Sequence, residues 1–158
     1  MGKTILSCID DVEGVSIAGG SEYAGHPAIG KDVGETAGIG TKGIAIVESI
    51  EGAIADCDVI IDFTTPESTI NTLDAAVKHG KSLVIGTTGF SAEQKKSISH
   101  AAESIRCVFA PNMSIGVNVL FKVAGDVAKI LGDAYDVEIV EAHHKFKKDA
   151  PSGTAVRL

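Results

Sequence analysis

Tryptophan is absent, and aromatic residues make up only 4% of the 158 positions. A core must therefore be filled by small aliphatic side chains, as in α/β proteins whose parallel strands are buried. Cysteine is sparse as well: Cys8, Cys57 and Cys107 are odd in number, widely separated and form no C-x-x-C pair. That spacing suggests neither a metal site nor a disulfide framework, and the three read as reduced thiols. Positive charge is also scarce, with 14 Lys and Arg against 21 Asp and Glu, a net charge of −7. Nucleic acid and anionic membrane repel such a chain at long range, so neither is an expected partner. No signal peptide and no apolar run of membrane-spanning length occurs, which makes the cytoplasm the default compartment.

What is present is an alternation of two apolar periods. "VSIAGG" (15–20), "IAIV" (44–47), "DVIIDF" (58–63), "SLVIGTT" (82–88) and "RCVFAP" (106–111) read as strands. Helices are expected over 48–56, over 67–79 behind Pro66, over 91–104 behind a Ser91 cap, and over 114–131. In the last of these, Val119, Val123, Val127 and Ile130 recur at helical spacing. "DVEIVEAHH" alternates like a further strand, with Val137, Ile139, Glu141 and His143 on one face. Residues 20–43 are rich in glycine and read as a long mobile loop. This order predicts an α/β fold: a doubly wound, Rossmann-like, mostly parallel sheet joined by right-handed crossovers. Its dinucleotide-binding domain would cover 1–113, and the beginning of a smaller α+β substrate domain would cover 114–158. One irregularity stands out. The chain opens with the helix "GKTILSCIDD", where such a sheet normally begins with a strand and a glycine loop.

Ligands of open α/β sheets lie beyond the carboxyl ends of the strands. Glu22 follows the first predicted strand, twenty residues past Gly2. That is the spacing of a carboxylate that holds a ribose, and equally of a solvated loop glutamate. Thr64-Thr65-Pro66 and Gly86-Thr87-Thr88-Gly89 end two further strands. There glycine admits a close ligand and threonine adds hydroxyls, or the chain simply turns. Ala110-Pro111-Asn112-Met113 ends the next, where Met113 could pack on a cofactor ring or merely in the core.

The densest chemistry lies in "EAHHKFKKDAPSGTA", residues 141–155. Histidine, here His143, moves protons near neutral pH, and Lys147 supplies a cation four residues on. Ser152, Gly153 and Thr154 read as a helix start whose backbone donors suit a carboxylate or phosphate. A small, multiply anionic substrate protonated or reduced at a double bond would fit. A metal held by His143 and His144, or a solvated basic loop, are the competing readings.

This segment meets every fixed position of the pattern E-x-H-H-x-x-K-x-D-x-P-S-G-T-A, and so resembles the signature of the 4-hydroxy-tetrahydrodipicolinate reductase family. "DFTTPEST", "GTTGF" and "APNMSIGVN" extend the resemblance along the whole chain. The resemblance implies hydride transfer from NADH or NADPH to the cyclic imine substrate in the diaminopimelate route of lysine biosynthesis. It implies His143 and Lys147 as the catalytic pair, with His144, Ser152, Gly153 and Thr154 on the substrate's carboxylates. For the cofactor it implies Met1 and Gly2 at the phosphates, Glu22 on the adenosine ribose and Phe63 nearby. Gly86, Thr87 and Thr88 would lie near the nicotinamide, with Ala110, Pro111, Asn112 and Met113 lining the same site. Tyr23 stands where relatives often carry arginine for a 2′-phosphate, which favours NADH. Members of the family are commonly homotetramers. The resemblance also implies a strand and a G-x-x-G-R loop ahead of Met1-Gly2, and more substrate domain after Leu158. The expectation is thus a piece of a longer enzyme, with a non-catalytic or partly folded fragment as the alternative.

Overall fold

The computed structural model describes residues 1–145, 147 and 150–158. Lys148, the third lysine of the basic cluster, lies outside the described residues, as do Phe146 and Asp149. Three strands, β1 (Val59–Asp62), β2 (Ser82–Ile85) and β3 (Cys107–Phe109), form a parallel sheet in the order β1-β2-β3. The helices are α1 (Gly2–Asp10), α2 (Val33–Ala37), α3 (Pro66–His79), α4 (Ala92–Ala101), α5 (Ile115–Leu131) and α6 (Gly153–Arg157). The expected α/β architecture is thus borne out.

Each crossover helix begins where its sequence supplies a cap. Thr65 accepts from the Ser68 amide and Pro66 occupies the first turn of α3, where a missing N–H costs nothing. Ser91 and Gln94 form a reciprocal capping box at α4. Both helices cover one face of the sheet. Ile60, Leu83 and Ile85 pack there with Leu73, Ala76, Phe90 and Ile98 in one buried cluster. On the opposite face the pairing sets Ile61 beside Val84 and Val84 beside Val108. Ile61 and Val108 are exposed there, and so are Val119, Val123, Val127 and Ile130 of α5.

Several expected elements take other forms. Segments 15–20 and 44–47 form no strand, and only the isolated bridges Ser21–Val47 and Asp32–Ala45 mark them. Their backbone groups find partners in turns instead: Ile46 N–H donates to the Lys31 carbonyl, and Val33 N–H to that of Ile44. The helix expected over 48–56 shrinks to a single 3₁₀ turn, Ile50–Gly52. The segment 136–144 forms no strand either, since no neighbouring strand offers it a ladder among the described residues.

The loop reading of 20–43 also needs correction, because the segment is organised around Asp32. Its carboxylate accepts hydrogen bonds from the amides of Gly34, Glu35, Lys42, Gly43 and Ile44, at 2.7–3.2 Å. It therefore caps α2 and fastens residues 42–44 at the same time. Val33 and Ile46 are buried beside it with Ala28, and Leu6 of α1 packs on this cluster. Lys42 pairs with Asp10 at 2.5 Å, tying α1 to the same loop.

The backbone amides around Asp32 lower its pKa to about 2. A carboxylate whose pKa is depressed on folding stabilises above its unfolded pKa, and that contribution is lost as pH falls through the folded value. The loop should therefore hold to well below pH 3.8, the ordinary aspartate value, and loosen as the pH approaches 2. Asp32→Ala should speed amide exchange at Gly34, Lys42, Gly43 and Ile44 even at neutral pH. Hydrogen exchange read by NMR checks both outcomes.

Candidate functional site

Because the strands are parallel, their carboxyl ends share one edge, and the loops leaving them lie side by side. Phe63 and Thr64 leave β1, residues 86–89 leave β2, and residues 110–113 leave β3. The Gly86 amide donates to the Asp62 carbonyl at 2.8 Å, and the Ala110 amide to that of Ile85 at 3.2 Å. The sheet's hydrogen bonding thus continues into the loops and fixes their heights.

Gly86 has a specific steric reason to be glycine. A Cβ there would overlap the ring of Phe63, which lies directly against the backbone. Gly89 follows with φ of +87°, a left-handed conformation that suits glycine. The turn lets Phe90 enter the core, where it meets Phe109 edge-on at 5.4 Å.

Thr87 behaves differently from the sequence reading of a free hydroxyl donor. It is buried, and its Oγ1 lies 2.9 Å from the Thr64 amide, 2.9 Å from Thr69 Oγ1 and 3.3 Å from Asp62 Oδ1. Its single proton goes to Asp62, and Thr69 shares its own between Thr87 and Asp62, so Thr87 has no proton left for a ligand. What residues 86–88 can offer a ligand is backbone and the half-buried Thr88. Asp62 itself, which the sequence reading passed over, accepts from Thr64 N–H, Thr64 Oγ1, Thr69 Oγ1 and Thr87 Oγ1 at 2.6–3.3 Å. Its signal was a carboxylate at a core-facing position of an apolar strand.

The late segment meets this edge directly. Ser152 is buried, and its Oγ accepts from the Ala155 amide, the cap expected from the sequence. A Cβ on Gly153 would stand 3.0 Å from Pro111 Cβ and 3.3 Å from Thr88 Cγ2, so that turn sits against both loops. Asn112 Nδ2 donates to Thr154 Oγ1 at 3.1 Å across 42 residues of sequence.

His143 is connected through Glu141. One carboxylate oxygen of Glu141 accepts from the Ser152 amide at 2.8 Å, and the other lies 3.4 Å from His143 Nδ1. The Ser152 hydrogen bonds, followed by the charges of His143 and Lys147, lower the Glu141 pKa. The Lys147 amide donates to the His144 carbonyl at 3.1 Å, turning Lys147 back toward this group. Glu141 is the second residue without an assigned role in the sequence reading, although its place on the His143 face was legible.

Gly153 thus lies against Thr88 and Pro111, and Thr154 against Asn112, with His143 joined to the adjacent Ser152 through one carboxylate. Phe63 and Gly86 pack together behind them. Met113 is exposed and Ala110 half-buried. Met1, Gly2 and Glu22 are exposed, and no hydrogen bond among the described residues joins their side chains to this cluster. Met1 caps α1 without a side-chain hydrogen bond, which leaves the first amides of that helix open to an acceptor. Among the described residues, no group of three or more His, Cys, Asp or Glu could hold a metal. No helix among them is long and apolar enough to cross a membrane.

A parallel sheet whose carboxyl-edge loops are met by a histidine-bearing segment from later in the chain defines a Rossmann-like α/β protein. The family pattern for the dihydrodipicolinate reductase N-terminus matches residues 1–113, and that for the C-terminus matches 116–158. The chain belongs to the dihydrodipicolinate reductase family. It is 50% identical over 158 residues to the 4-hydroxy-tetrahydrodipicolinate reductase of Citrifermentans bemidjiense. To those of Geotalea uraniireducens and Hahella chejuensis it is 51% identical over the same span. All of this chain is covered in each case, and it spans 59% of each relative's length. A solved structure, dipicolinate-bound dihydrodipicolinate reductase from Paenisporosarcina sp. TG-14, superposes with a TM-score of 0.70 at 28% identity. That match covers 98% of this chain and 58% of the other.

Two outcomes check this geometry. Gly86→Ala should lower the unfolding free energy by about 1–3 kcal/mol, the usual range for overpacking, and Phe63→Leu in the same chain should recover part of it. Urea unfolding of the single and double variants measures both. The depressed pKa of Glu141 means that its contribution is complete above the ordinary glutamate value of 4.5 and is lost as pH falls on through the lower folded value. The Ser152 amide resonance should therefore shift with acidification, and Glu141→Gln should abolish that shift.

Proposed function

We propose that the protein carrying this chain reduces 4-hydroxy-tetrahydrodipicolinate, whose 4-hydroxyl leaves as water to give the conjugated dihydrodipicolinate imine, to tetrahydrodipicolinate with a nicotinamide dinucleotide, in the diaminopimelate route to lysine. The observation that carries the reading is the junction at which Gly153 abuts Thr88 and Pro111 while Asn112 holds Thr154. It sets a segment rich in backbone donors, imidazole and ammonium against the edge of the sheet where dinucleotides bind in such folds. The extent of the two family matches supports a dinucleotide-binding part over 1–113 and the start of a substrate-binding part over 114–158.

The residues fit the dinucleotide. The open first amides of α1, beginning at Gly2 behind the Met1 cap, suit a phosphate. Glu22 is exposed and able to accept from ribose hydroxyls. Phe63 and residues 86–88 and 110–113 give a surface of aromatic ring, backbone and Met113 for a flat ring. With Tyr23 beside Glu22 and no arginine there, NADH is the favoured form. The cofactor, when bound, supplies the hydride.

The protein's own part is to hold charge and move a proton. The Gly153 and Thr154 amides, the Thr154 hydroxyl and His144 would bind the substrate's carboxylates, with Ser152 anchoring the turn. Negative charge develops on the ring as hydride arrives. His143 is placed to quench it by donating a proton, with Lys147 as the neighbouring cation that stabilises it. Glu141 lies 3.4 Å from Nδ1 and orients the ring, which leaves Nε2 as the atom to donate the proton.

NADH oxidation should be followed with substrate formed from pyruvate and aspartate semialdehyde. His143→Ala should lower kcat by about a hundredfold or more, the usual size of a lost proton transfer, while NADH affinity stays unchanged. An undiminished rate removes His143 from this role.

A further inference from the structure

Asp62 is the only charged side chain among the described residues that is fully buried, at 4% exposure. No lysine, arginine or histidine among the described residues forms an ion pair with it. Its partners are one backbone amide and three threonine hydroxyls, all directed to Oδ1. Fold stability alone gives little reason for a carboxylate here. It occupies the register position beside Ile85, on the face that carries Ile60 and Leu83, where an aliphatic side chain would extend the core. Replacing buried charge by well-packed apolar groups is often neutral or stabilising.

What the carboxylate does accomplish is local. Thr64 belongs to the loop after β1, Thr69 to the first turns of α3, and Thr87 to the loop after β2. A single oxygen holds all three, and Thr87 additionally receives the Thr64 amide. The loops after two adjacent strands are therefore fixed to each other from beneath. The hydroxyl of Thr87 is turned inward with the rest of that residue, and its half-buried neighbours Gly86 and Thr88 carry the accessible surface of the loop.

We propose that Asp62 is a positioning residue for the dinucleotide: it sets the spacing of residues 63–64 and 86–88 and turns the Thr64 and Thr87 hydroxyls away from the ligand. The inference rests on the nicotinamide lying at residues 86–88, as in the function proposed above. It adds that the loop is preorganised by a buried carboxyl group and recognises the ring without the Thr87 hydroxyl.

The test compares dissociation constants for NADH and for dipicolinate in the unaltered protein and in Asp62→Ala, Asp62→Asn and Thr64→Val. Asp62→Ala should weaken NADH about tenfold, the scale of one lost hydrogen bond to a charged group, and leave dipicolinate within about twofold. Asp62→Asn keeps an oxygen at the same place and should recover most of the loss. Thr64→Val removes the shortest of the four bonds, from an exposed position, and should weaken NADH by a smaller factor. It gives a reading even where Asp62→Ala does not fold. Unchanged NADH affinity in a folded Asp62→Ala or in Thr64→Val overturns the proposal. So does equal loss of both ligands, or failure of Asp62→Asn to recover binding, since either marks general destabilisation. If the unaltered protein binds dipicolinate and not NADH, the cofactor reading itself has failed, a result distinct from any change among the variants.

Discussion

Parallel pairing of β1, β2 and β3 is the constraint on which the rest depends. In a parallel sheet every strand delivers its carboxyl end to the same edge, so each following loop is placed there without further instruction. Residues 63–65, 86–89 and 110–113 are separated by more than twenty positions in sequence, yet they become neighbours through the register of Ile61 with Val84 and Val84 with Val108. A slip of one residue would reverse the faces, exposing Ile60 and Leu83 and burying Ile61 and Val84. It would also carry Asp62 away from Thr69 and Thr87. Core packing on one face and polar organisation at the edge are thus fixed by the same register.

The two polar anchors of the molecule use the same device in different settings. Asp32 collects five backbone amides in a glycine-rich loop and needs no ladder to order it. Asp62 collects hydroxyls at the rim of the sheet. The first gives shape to a segment short of apolar contacts, and the second joins segments that the core has already brought close. In both, one short carboxylate satisfies donors that a longer side chain would reach only at greater entropic cost.

Legibility in the sequence follows the same division between local and distant causes. α3, α4 and α5 were visible because caps and apolar spacing are local signals, and the three strands of the sheet because their runs are short and flanked by turn residues. The cap at Ser152 was legible for the same reason. Segments 15–20 and 44–47 misled because apolar content reports burial and not pairing. Ile46 is indeed buried, but its amide goes to the turn at Lys31. Asp32 announced itself weakly, as D-x-x-E ahead of a short helix, the pattern of a capping box. The roles of Asp62 and Glu141 could not be read, since each acts on partners between 2 and 25 residues away that only the fold brings together.

The candidate site is therefore built from two halves held in different ways. The sheet edge is held by ladder hydrogen bonds, by the Phe63 ring against Gly86 and by the Asp62 cluster. The segment carrying His143 and Lys147 is joined to that edge, among the described residues, by the Asn112–Thr154 hydrogen bond and the contact of Gly153 with Pro111 and Thr88. In the proposed reading the sheet edge takes the cofactor, and the later segment carries the groups that would hold the substrate and deliver the proton. Glu141 belongs to that later segment, where its carboxylate lies between His143 Nδ1 and the Ser152 amide, so one side chain sets the imidazole and the Gly153–Thr154 turn relative to each other.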